Sequence, residues 1–303
     1  MMKRTPGQPP ADDGEGTTPV AGDRPEVAPG DTPPAGQNAT TVTVAGIRDA
    51  LITGDFTAYY LPIVQRSTDG RWRIVAAEAL ARWHQDGRPA PLLPGAFMPV
   101  AKSAGLAGNI TDFILRQAAE QTRAWHSSGI AIDLTVNLDA RLLTDPGVPD
   151  RLERLMQEYD VAPRHLTLEF TEAAPLAEPQ LTMEIMTNLR RRGFRLSLDD
   201  FGTGYSSLTH LNRMPFDELK LDRSLMQQVP GNVQGEKILR ALVQFGRTLG
   251  LTVCSEGIDR EELLQFVTDL GCERLQGHLI SAAMPAGRME EFYRCWTGEL
   301  LAA

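Results

Sequence analysis

Short runs rich in β-branched and aromatic residues alternate with longer amphipathic segments along the chain from about residue 58 onward. The short runs have the composition of buried strands, and the longer segments repeat their apolar residues with helical period, so the alternation indicates an α/β architecture. The predicted strands are TAYYLPIV, WRIVAAEAL, AIDLTVNL, HLTLEF, FRLSLDD, DELKLD, LTVCSE and ERLQGHLI, and the clearest predicted helices are NITDFILRQAAEQTRAWHSSG, LTMEIMTNLRRRG and EKILRALVQFGRTLG.

The number of strands and the length of chain that holds them point to a barrel. Residues 43–303 carry eight predicted strands, and this length is close to the ~250 residues of a typical eight-stranded α/β barrel. Only the segment QRSTDGR joins the first two strands, whereas a parallel pair needs a crossover of roughly a dozen residues. That pair is therefore predicted to be an antiparallel hairpin that turns at Thr68-Asp69-Gly70. We predict an α/β fold, a modified TIM (β/α)8 barrel with an antiparallel first strand.

The beginning of the chain has a different composition. Residues 1–40 contain eight Pro and six Gly and few large apolar side chains. Such a segment cannot offset its ordering entropy by burial. We therefore predict a disordered leader over residues 1–42 and a single domain over residues 43–303, with a docking or targeting tail as the alternative interpretation of the leader.

Charge and cysteine content exclude several classes of protein. The formal net charge is −9 and the pI is about 5.1, which is the wrong sign for general attraction to a nucleic-acid polymer. No apolar run approaches the ~18 residues of a membrane span. The three cysteines form no Cys-x-x-Cys pair and are too few for a disulfide framework. These features predict a soluble protein of the cytoplasm with no membrane or nucleic-acid partner.

Nearly every predicted strand carries a polar side chain near its C-terminal end. One such residue alone is typical of a solvated rim or an ion pair. Repetition over successive strands of a barrel instead places all of them at one mouth, where active sites lie. The residues are Glu78, Asn137, Glu169, Asp199, Asp200, Lys220, Asp222, Glu256 and Gln276. The pattern therefore predicts an active site at the barrel mouth.

The carboxylates in this set indicate a metal site. Glu78, Glu169, Asp199 and Asp200 would repel one another strongly without a counter-charge. Oxygen-rich sets of this kind are preferred by Mg²⁺ or Mn²⁺. Because the chain turns at a strand end, adjacent aspartates can serve two ions. We therefore predict a two-metal site of the kind that supports phosphoryl displacement.

Seven segments, taken in order, match the motifs of one family. They begin with Glu78-Ala79-Leu80 and continue with VNL, LEFTE, DDFGTGYSSL, ELKLDRS, SEGI and LQG. Through them the chain from about residue 58 to residue 285 resembles the EAL domain of cyclic-di-GMP phosphodiesterases. The barrel of that family also has an antiparallel first strand.

The resemblance implies a role for each matching position. Metal ligands are implied at Glu78, Asn137, Glu169, Asp199 and Asp200. Catalytic groups are implied at Glu256 as general base, Lys220 as the residue that holds the hydrolytic water, and Glu172 as the brace of the DFGTG loop. Substrate contacts are implied at Arg82, which matches a phosphate contact, and at Asp222 and Gln276. The implied chemistry is Mg²⁺- or Mn²⁺-dependent hydrolysis of cyclic di-GMP to linear pGpG in bacterial signalling.

Some positions depart from the motifs of the family. Leu61 stands where the YQPI motif has glutamine, so a polar group near the substrate is missing. Lys102 replaces an acid that is usual after the second strand, Asp259 shortens the EGVE motif by one methylene, and Ala282 replaces a basic residue. None of these changes removes an implied metal ligand. They bear on substrate affinity and turnover more than on the reaction class.

Two functions stay open at this point. The complete set of acids favours an active phosphodiesterase. Leu61 and Ala282 favour the alternative, a weak or silent EAL domain that acts as a cyclic-di-GMP receptor or protein-interaction module. The resemblance also implies a homodimer that pairs through the helices beside the DFGTG loop, and it leaves any regulatory protein partner unidentified.

The histidines show no spacing that would place two of them on one metal. They are His84, His126, His165, His210 and His278. Surface or structural roles are therefore predicted for all of them.

Overall fold

The computed structural model describes residues 42–171, 179–202, 214–227 and 229–300. Its strands are β1 Phe56–Arg66, β2 Trp72–Trp83, β3 Asp133–Asn137, β4 Leu166–Thr171, β5 Arg195–Phe201, β6 Glu218–Leu221, β7 Thr252–Ser255 and β8 Arg274–Leu275. Its α-helices are α1 Val44–Thr53, α2 Pro94–Ser103, α3 Ala107–Ser127, α4 Val148–Glu158, α5 Pro179–Arg191, α6 Arg223–Met226, α7 Val233–Thr248, α8 Glu261–Leu270 and α9 Ala286–Cys295. The sequence pattern indicated every one of these strands, but it did not single out α1.

The strands form a closed barrel in sequence order, from β1 to β8 and back to β1. β1 is antiparallel to both of its neighbours, β2 and β8, and every other adjacent pair is parallel. The predicted modified TIM barrel with an antiparallel first strand is therefore confirmed. Because β2 to β8 run in one direction, their C-terminal ends share one mouth of the barrel.

A tight hairpin joins β1 and β2, as their short connection predicted. The Ser67 amide donates to the Arg71 carbonyl over 2.8 Å, and the Gly70 amide donates to the Ser67 carbonyl over 2.9 Å. Gly70 has a φ of +83°, which a residue without a β-carbon adopts at little cost. The turn sets the register in which Leu61 lies opposite Glu78.

The core lies between the outer face of the strands and the helices that cover them. Phe56 of β1 packs against Trp83 of β2 and Phe97 of α2, with ring centroids 5.5 and 5.3 Å apart. Tyr60 meets Trp125 of α3 edge-on at 4.9 Å. Apolar residues recur along α3 on the face that the strands cover, which is why an otherwise polar segment forms a helix at this place.

The eighth strand is shorter than its apolar run predicted. Only Arg274 and Leu275 belong to the sheet, and the next residues pair with the chain that follows β7. The Ile258 amide donates to the Gln276 carbonyl over 3.1 Å, and the Leu279 amide donates to the Ile258 carbonyl over 2.9 Å. These bonds draw the chain off the barrel and fix Gln276 at its mouth.

Several sequence predictions fall outside the described residues. These are the leader except for its last residue, Glu172, and most of the DFGTGYSSL segment with the helix predicted after it. Among the described residues, no helix combines the length and hydropathy needed to cross a membrane.

Candidate active site at the barrel mouth

The ammonium group of Lys220 lies at the centre of the mouth. Its Nζ is 2.7 Å from Glu256, 3.0 Å from Glu169, 3.2 Å from Glu78 and 3.4 Å from Asp199. The Lys220 side chain is fully buried. Carboxylates from β2, β4 and β5 and from the residue after β7 therefore surround one cation.

Two amides hold Glu78 from the neighbouring strand ends. Asn137 Nδ2 donates to Glu78 Oε1 over 2.7 Å, and Gln276 Nε2 donates to Glu78 Oε2 over 2.7 Å. Asn137 is 59 positions and Gln276 is 198 positions from Glu78 in the chain. Closure of the barrel brings them together, since β3 follows β2 in the sheet and β8 lies on the far side of β1.

The parallel register explains why the acids meet. Asn137 of β3 pairs with Glu169 of β4, and the next pair along the barrel joins Thr171 of β4 to Asp199 of β5. Side chains at equivalent positions of adjacent parallel strands lie on the same face of a sheet, here the inner face. Most of the strand-end residues named from the sequence thus form one cluster, which consists of Glu78, Asn137, Glu169, Asp199, Lys220, Glu256 and Gln276.

The cluster carries more negative than positive charge. Four carboxylates face one ammonium, which leaves a formal charge of 1 − 4 = −3 when all of them are ionised. Burial and then repulsion by Glu78 raise the pKa of Glu169 well above its usual range. Burial likewise raises the pKa of Glu256 to about 7, with Asp199 and Glu78 adding to the shift and Lys220 opposing it. A carboxylic acid of this kind holds or releases a proton near neutral pH.

The pKa values of Glu78 and Lys220 are shifted in the direction opposite to the one that burial alone would produce. Burial opposes ionisation of Glu78, but Lys220 and the hydrogen bonds from Gln276 and Asn137 outweigh it and hold the pKa of Glu78 below its usual value. Burial alone would also lower the pKa of Lys220, yet the surrounding carboxylates raise it well above its usual range. Glu78 is therefore an anion and Lys220 a cation at neutral pH.

Buried oxygens in the cluster are poorly supplied with hydrogen-bond donors by the residues that the structure describes. Oε2 of Glu169 has none, and Oε1 of Glu169 and Oδ1 of Asp199 have only the Lys220 ammonium, at 3.0 and 3.4 Å. A buried acceptor without a donor is costly, and the donor set consists of carboxylate and amide oxygens, which Mg²⁺ and Mn²⁺ prefer. The residues present therefore fit a divalent cation.

Asp200 leaves the regular strand geometry beside Asp199. It has a φ of +56°, and the pairing of β5 with β6 shifts register between Leu198 and Phe201. Strict alternation along a strand would turn the two side chains to opposite faces. The irregularity instead allows Asp199 to contact Lys220 and Asp200 to line the adjacent cavity. Burial raises the pKa of Asp200, and the nearby charges of Asp199 and Asp222 add to the shift.

A sequence profile of the EAL domain matches residues 45–283. The chain belongs to the EAL domain family. It is 34% identical over 244 residues to the bifunctional diguanylate cyclase/cyclic di-GMP phosphodiesterase MucR of Pseudomonas aeruginosa, a match that covers 80% of this chain and 35% of MucR. It is 33% identical over 249 residues to the probable cyclic di-GMP phosphodiesterase PdeB of Escherichia coli K12, covering 82% of this chain and 46% of PdeB.

Solved EAL domains share the fold. The PaMucR phosphodiesterase in its c-di-GMP complex superposes with a TM-score of 0.76 at 34% identity, covering 81% of this chain and 98% of that one. The EAL domain of Mycobacterium smegmatis DcpA gives a TM-score of 0.66 at 28% identity, covering 80% and 96%. The chain thus matches whole EAL domains but spans less than half the length of MucR and PdeB.

The tripeptide after which the EAL family is named lies in β2. Glu78 and Arg82 are four positions apart in this strand, so both lie on its inner face. The Arg82 guanidinium is 5.4 Å from the centroid of the Tyr59 ring, and Arg82 Nη1 donates to the Ala81 carbonyl over 3.0 Å. Leu61 is directly opposite Glu78 on β1, and directly opposed residues share a face, so its apolar side chain lies beside a carboxylate of the cluster.

Asp222 caps a short helix at the edge of the EAL mouth. Its side chain accepts a hydrogen bond from the Ser224 amide over 2.9 Å at the start of α6. Gln276, in contrast, is buried against Glu78. Asp222 is thus at the rim, where its charge raises the pKa of Asp200. Gln276 lies inside the carboxylate cluster.

A cavity of 890 Å³ opens beside the mouth of the EAL barrel. Asn137 and Asp200 line it on the side of the cluster, and α2 and α3 line the opposite side. Two basic residues, Lys102 and Arg141, also line it, and Arg141 is paired with Asp139 at 2.6 Å. The sequence pattern singled out Lys102 only as a departure from the family, and the signal that links it to the site is its position in this cavity.

Proposed function

We propose that this EAL domain hydrolyses one phosphodiester of cyclic di-GMP and releases linear pGpG, which lowers the concentration of this second messenger in a bacterial cell. The observation that carries the proposal is the buried cluster of Glu78, Glu169, Asp199 and Glu256 around Lys220. Support also comes from the relatives MucR and PdeB, which are named as a bifunctional diguanylate cyclase/cyclic di-GMP phosphodiesterase and a probable cyclic di-GMP phosphodiesterase, and from the c-di-GMP complex of PaMucR.

The proposed cofactor is Mg²⁺ or Mn²⁺ at two neighbouring positions. The residues that would hold the ions are Glu78, Asn137, Glu169, Asp199 and Asp200. When bound, the ions supply Lewis-acid polarisation of the phosphate and acidify the attacking water. The buried Oε2 of Glu169, which has no hydrogen-bond donor among the described residues, supports this assignment.

Glu256 is the proposed general base. With a pKa of about 7 it accepts a proton from water at neutral pH, which is the range in which general-base catalysis is most efficient. Lys220 stays protonated and lies 2.7 Å from Glu256 Oε1. We assign to Lys220 the positioning of the attacking water and the balance of negative charge around it.

The cavity beside the mouth is the proposed binding site for the substrate. Its volume of 890 Å³ lies within the ~300–1,000 Å³ typical of ligand pockets. Arg82 is the proposed contact for a substrate phosphate, and Asp222 is a proposed contact at the rim. Gln276 acts through Glu78, whose carboxylate it orients.

Two further parts of the proposal rest on the family resemblance. They are a catalytic role for Glu172, which lies outside the described residues, and the formation of a homodimer. Val233 and Ile238, both on α7, are exposed hydrophobic residues at 66% and 43% and support an apolar contact between copies. A double substitution Val233→Asp/Ile238→Asp is expected to convert a dimer to a monomer in sedimentation velocity at micromolar protein, and a monomeric wild-type chain would contradict the proposal.

The cytoplasmic location is also part of the proposal. The cysteines Cys254, Cys272 and Cys295 are all free. Free thiols are the norm in a reducing compartment.

The proposed activity is tested by incubating the protein with cyclic di-GMP and Mg²⁺ or Mn²⁺ and measuring pGpG by chromatography. We expect pGpG to accumulate, excess EDTA to stop its formation, and Glu169→Gln to lose activity. Binding of cyclic di-GMP without turnover would identify a receptor instead of an enzyme. Full activity in excess EDTA would contradict the metal requirement.

A further inference from the structure

A group of three ligand-type side chains lies at the end of the barrel opposite to the active site. Asp133 is the first residue of β3, His165 directly precedes β4, and His126 is in the last turn of α3. One ring nitrogen from each histidine and one carboxylate oxygen of Asp133 all lie within 4.8 Å of one another. We call these residues the floor cluster. Asn137, at the other end of β3, belongs to the active-site mouth, about 13 Å away along the strand at ~3.3 Å per residue.

Hydrogen bonds hold the floor cluster in a form that suits metal binding. His126 Nε2 lies 3.1 Å from the Ile132 carbonyl, and because a carbonyl only accepts, this nitrogen carries the proton. Nδ1 of the neutral ring then keeps its lone pair. A ring proton donated to a backbone carbonyl is the usual arrangement of a histidine that ligates metal through its other nitrogen.

The carboxylate of Asp133 is also oriented. Its Oδ1 is 2.8 Å from His165 Nδ1, and its Oδ2 is 3.2 Å from Arg195 Nη1. Arg195 thus engages Oδ2, while Oδ1 accepts a hydrogen bond from His165 Nδ1, and metal binding at these two atoms requires the ring proton of His165 to move to Nε2. The two imidazole rings meet edge-on, with centroids 4.5 Å apart, so their nitrogens approach one another although 39 residues separate the two histidines.

We propose that the floor cluster binds a transition-metal ion, with Zn²⁺ as the natural occupant, through two imidazole nitrogens and one carboxylate oxygen. Zn²⁺ accepts this donor set, and imidazole favours Zn²⁺ over Mg²⁺, which takes oxygen ligands. The side chains of His165 and Asp133 are 25% and 23% exposed, so water reaches the site and completes the coordination. Zinc bonds of ~2.0–2.1 Å require the three ligand atoms to draw closer together than in the metal-free arrangement.

Binding at the floor cluster joins three elements that are distant in the chain. A bound ion links the end of α3 to the starts of β3 and β4. An ion that binds the native chain and not the unfolded chain raises stability by mass action. The ion therefore has a structural role, in which it stabilises the contact between α3, β3 and β4. The hydrolytic chemistry at the opposite mouth does not require it.

X-ray absorption of the zinc-loaded protein tests the proposal, because the carboxylate cluster around Lys220 contains no histidine among the described residues. The protein carries no histidine tag, is stripped with EDTA, and receives one equivalent of Zn²⁺ in excess Mg²⁺, which occupies oxygen sites. We expect imidazole scattering in the wild-type spectrum. His126→Gln and His165→Gln are expected to lose it and to weaken zinc binding at least tenfold by titration calorimetry.

Matched controls separate the floor cluster from other histidines. His84→Gln and His278→Gln each remove an exposed histidine outside the cluster and are expected to keep the wild-type zinc signal. Zinc should raise the melting temperature of the wild type and of both controls but not of His126→Gln or His165→Gln. The two cluster variants lie on different elements, so either one that folds suffices for the test.

Oxygen-only scattering in the wild type, or equal zinc binding in wild type and cluster variants, would overturn the proposal and leave a hydrogen-bond network in its place. These results are independent of the proposed phosphodiesterase activity, which is measured with Mg²⁺ alone. His126→Gln with normal pGpG production and lost zinc binding would support both proposals separately.

Discussion

Lys220 determines the charge balance of the mouth at the scale of single residues. Its buried ammonium is within 3.4 Å of four carboxylates. An uncompensated buried charge costs several kcal/mol, so the lysine and the acids depend on one another. Because four acids exceed one lysine, the arrangement leaves a surplus of negative charge for metal ions.

Replacement of the proposed base, Glu256, tests the transfer of a proton from water to its carboxylate. Glu256→Gln keeps the shape of the side chain but removes the group that accepts the proton. We expect turnover of cyclic di-GMP to fall by about 10²-fold or more, the usual scale for loss of a general base, while substrate binding changes little. Single-turnover kinetics and equilibrium binding measure the two effects separately.

Glu262→Gln on α8 is the matched control, since this glutamate is exposed and outside the site. It is expected to match the wild type in both measurements. Wild-type turnover in Glu256→Gln would remove Glu256 from the mechanism.

Leu61 provides a test of substrate affinity. It lies opposite Glu78 on the inner face of β1, where the family has a glutamine. A polar substrate atom left without a partner costs about 1–3 kcal/mol, which corresponds to roughly a tenfold to hundredfold loss of affinity. We therefore expect Leu61→Gln to raise kcat/KM for cyclic di-GMP with the metal requirement unchanged.

Leu270→Gln serves as the control for this substitution. Leu270 is a half-buried leucine at the end of α8, and its replacement should lower stability without any gain in kcat/KM. If Leu61→Gln behaves in the same way, Leu61 is a packing residue of β1 and does not limit substrate affinity.

At the scale of elements, the segment after β8 packs against the segment after β7, and this contact sets the position of Gln276 at the mouth. Gly277 has a φ of +156°, and a β-carbon there would lie 2.2 Å from the Ile258 amide nitrogen and 2.3 Å from its carbonyl oxygen. Any side chain must push the segment that carries Gln276 away from Ile258. The close approach of two backbones thus controls the contact between Gln276 and Glu78.

Gly277→Ala is expected to lower the free energy of unfolding by roughly 1–3 kcal/mol from backbone strain alone, and the displaced Gln276 should reduce activity further. Urea denaturation and pGpG production measure the two effects. Gly287→Ala is the control, because a β-carbon at Gly287 in α9 meets nothing within 4 Å and alanine favours a helix. Equal stability of Gly277→Ala and wild type would show that the segment rearranges without cost.

At the scale of the whole molecule, the proposed metal binding is coupled to protons. The raised pKa of Glu169 and the pKa of about 7 for Glu256 mean that the metal-free mouth holds protons at neutral pH. A bound cation requires deprotonated ligands such as Glu169, and its charge favours the ionised form of the neighbouring Glu256, so metal binding must release these protons. Between about pH 6 and pH 8 the Mn²⁺ affinity of the mouth should rise with pH and then level off once Glu256 is ionised.

Titration calorimetry in two buffers of different ionisation enthalpy measures the protons released. Wild type should release protons on binding Mn²⁺ at neutral pH, and Glu256→Gln should release fewer. An Mn²⁺ affinity that does not depend on pH over this range would show that the acids are already ionised in the metal-free protein.

Local composition along the chain was enough to predict the strands and the polar residues near their C-terminal ends. Apolar runs and helical periods depend on local composition, so they predicted the eight strands, and the short hairpin predicted the antiparallel first strand because a parallel crossover needs more chain. The acids at strand ends, from Glu78 to Glu256, could also be named, since a carboxylate in a buried strand is costly without a partner.

The contacts between side chains of different strands become visible only in the closed barrel. Periodicity cannot show that Lys220 lies among four acids, that Gln276 holds Glu78 across 198 positions, or that β8 ends after Leu275 because its chain turns to pair with Ile258. Sequence spacing likewise separated His126 from His165, whereas the fold brings them together with Asp133. Such contacts form when the barrel closes and joins elements that are far apart in the chain. The local sequence of each element predicts its secondary structure but not which distant element it contacts.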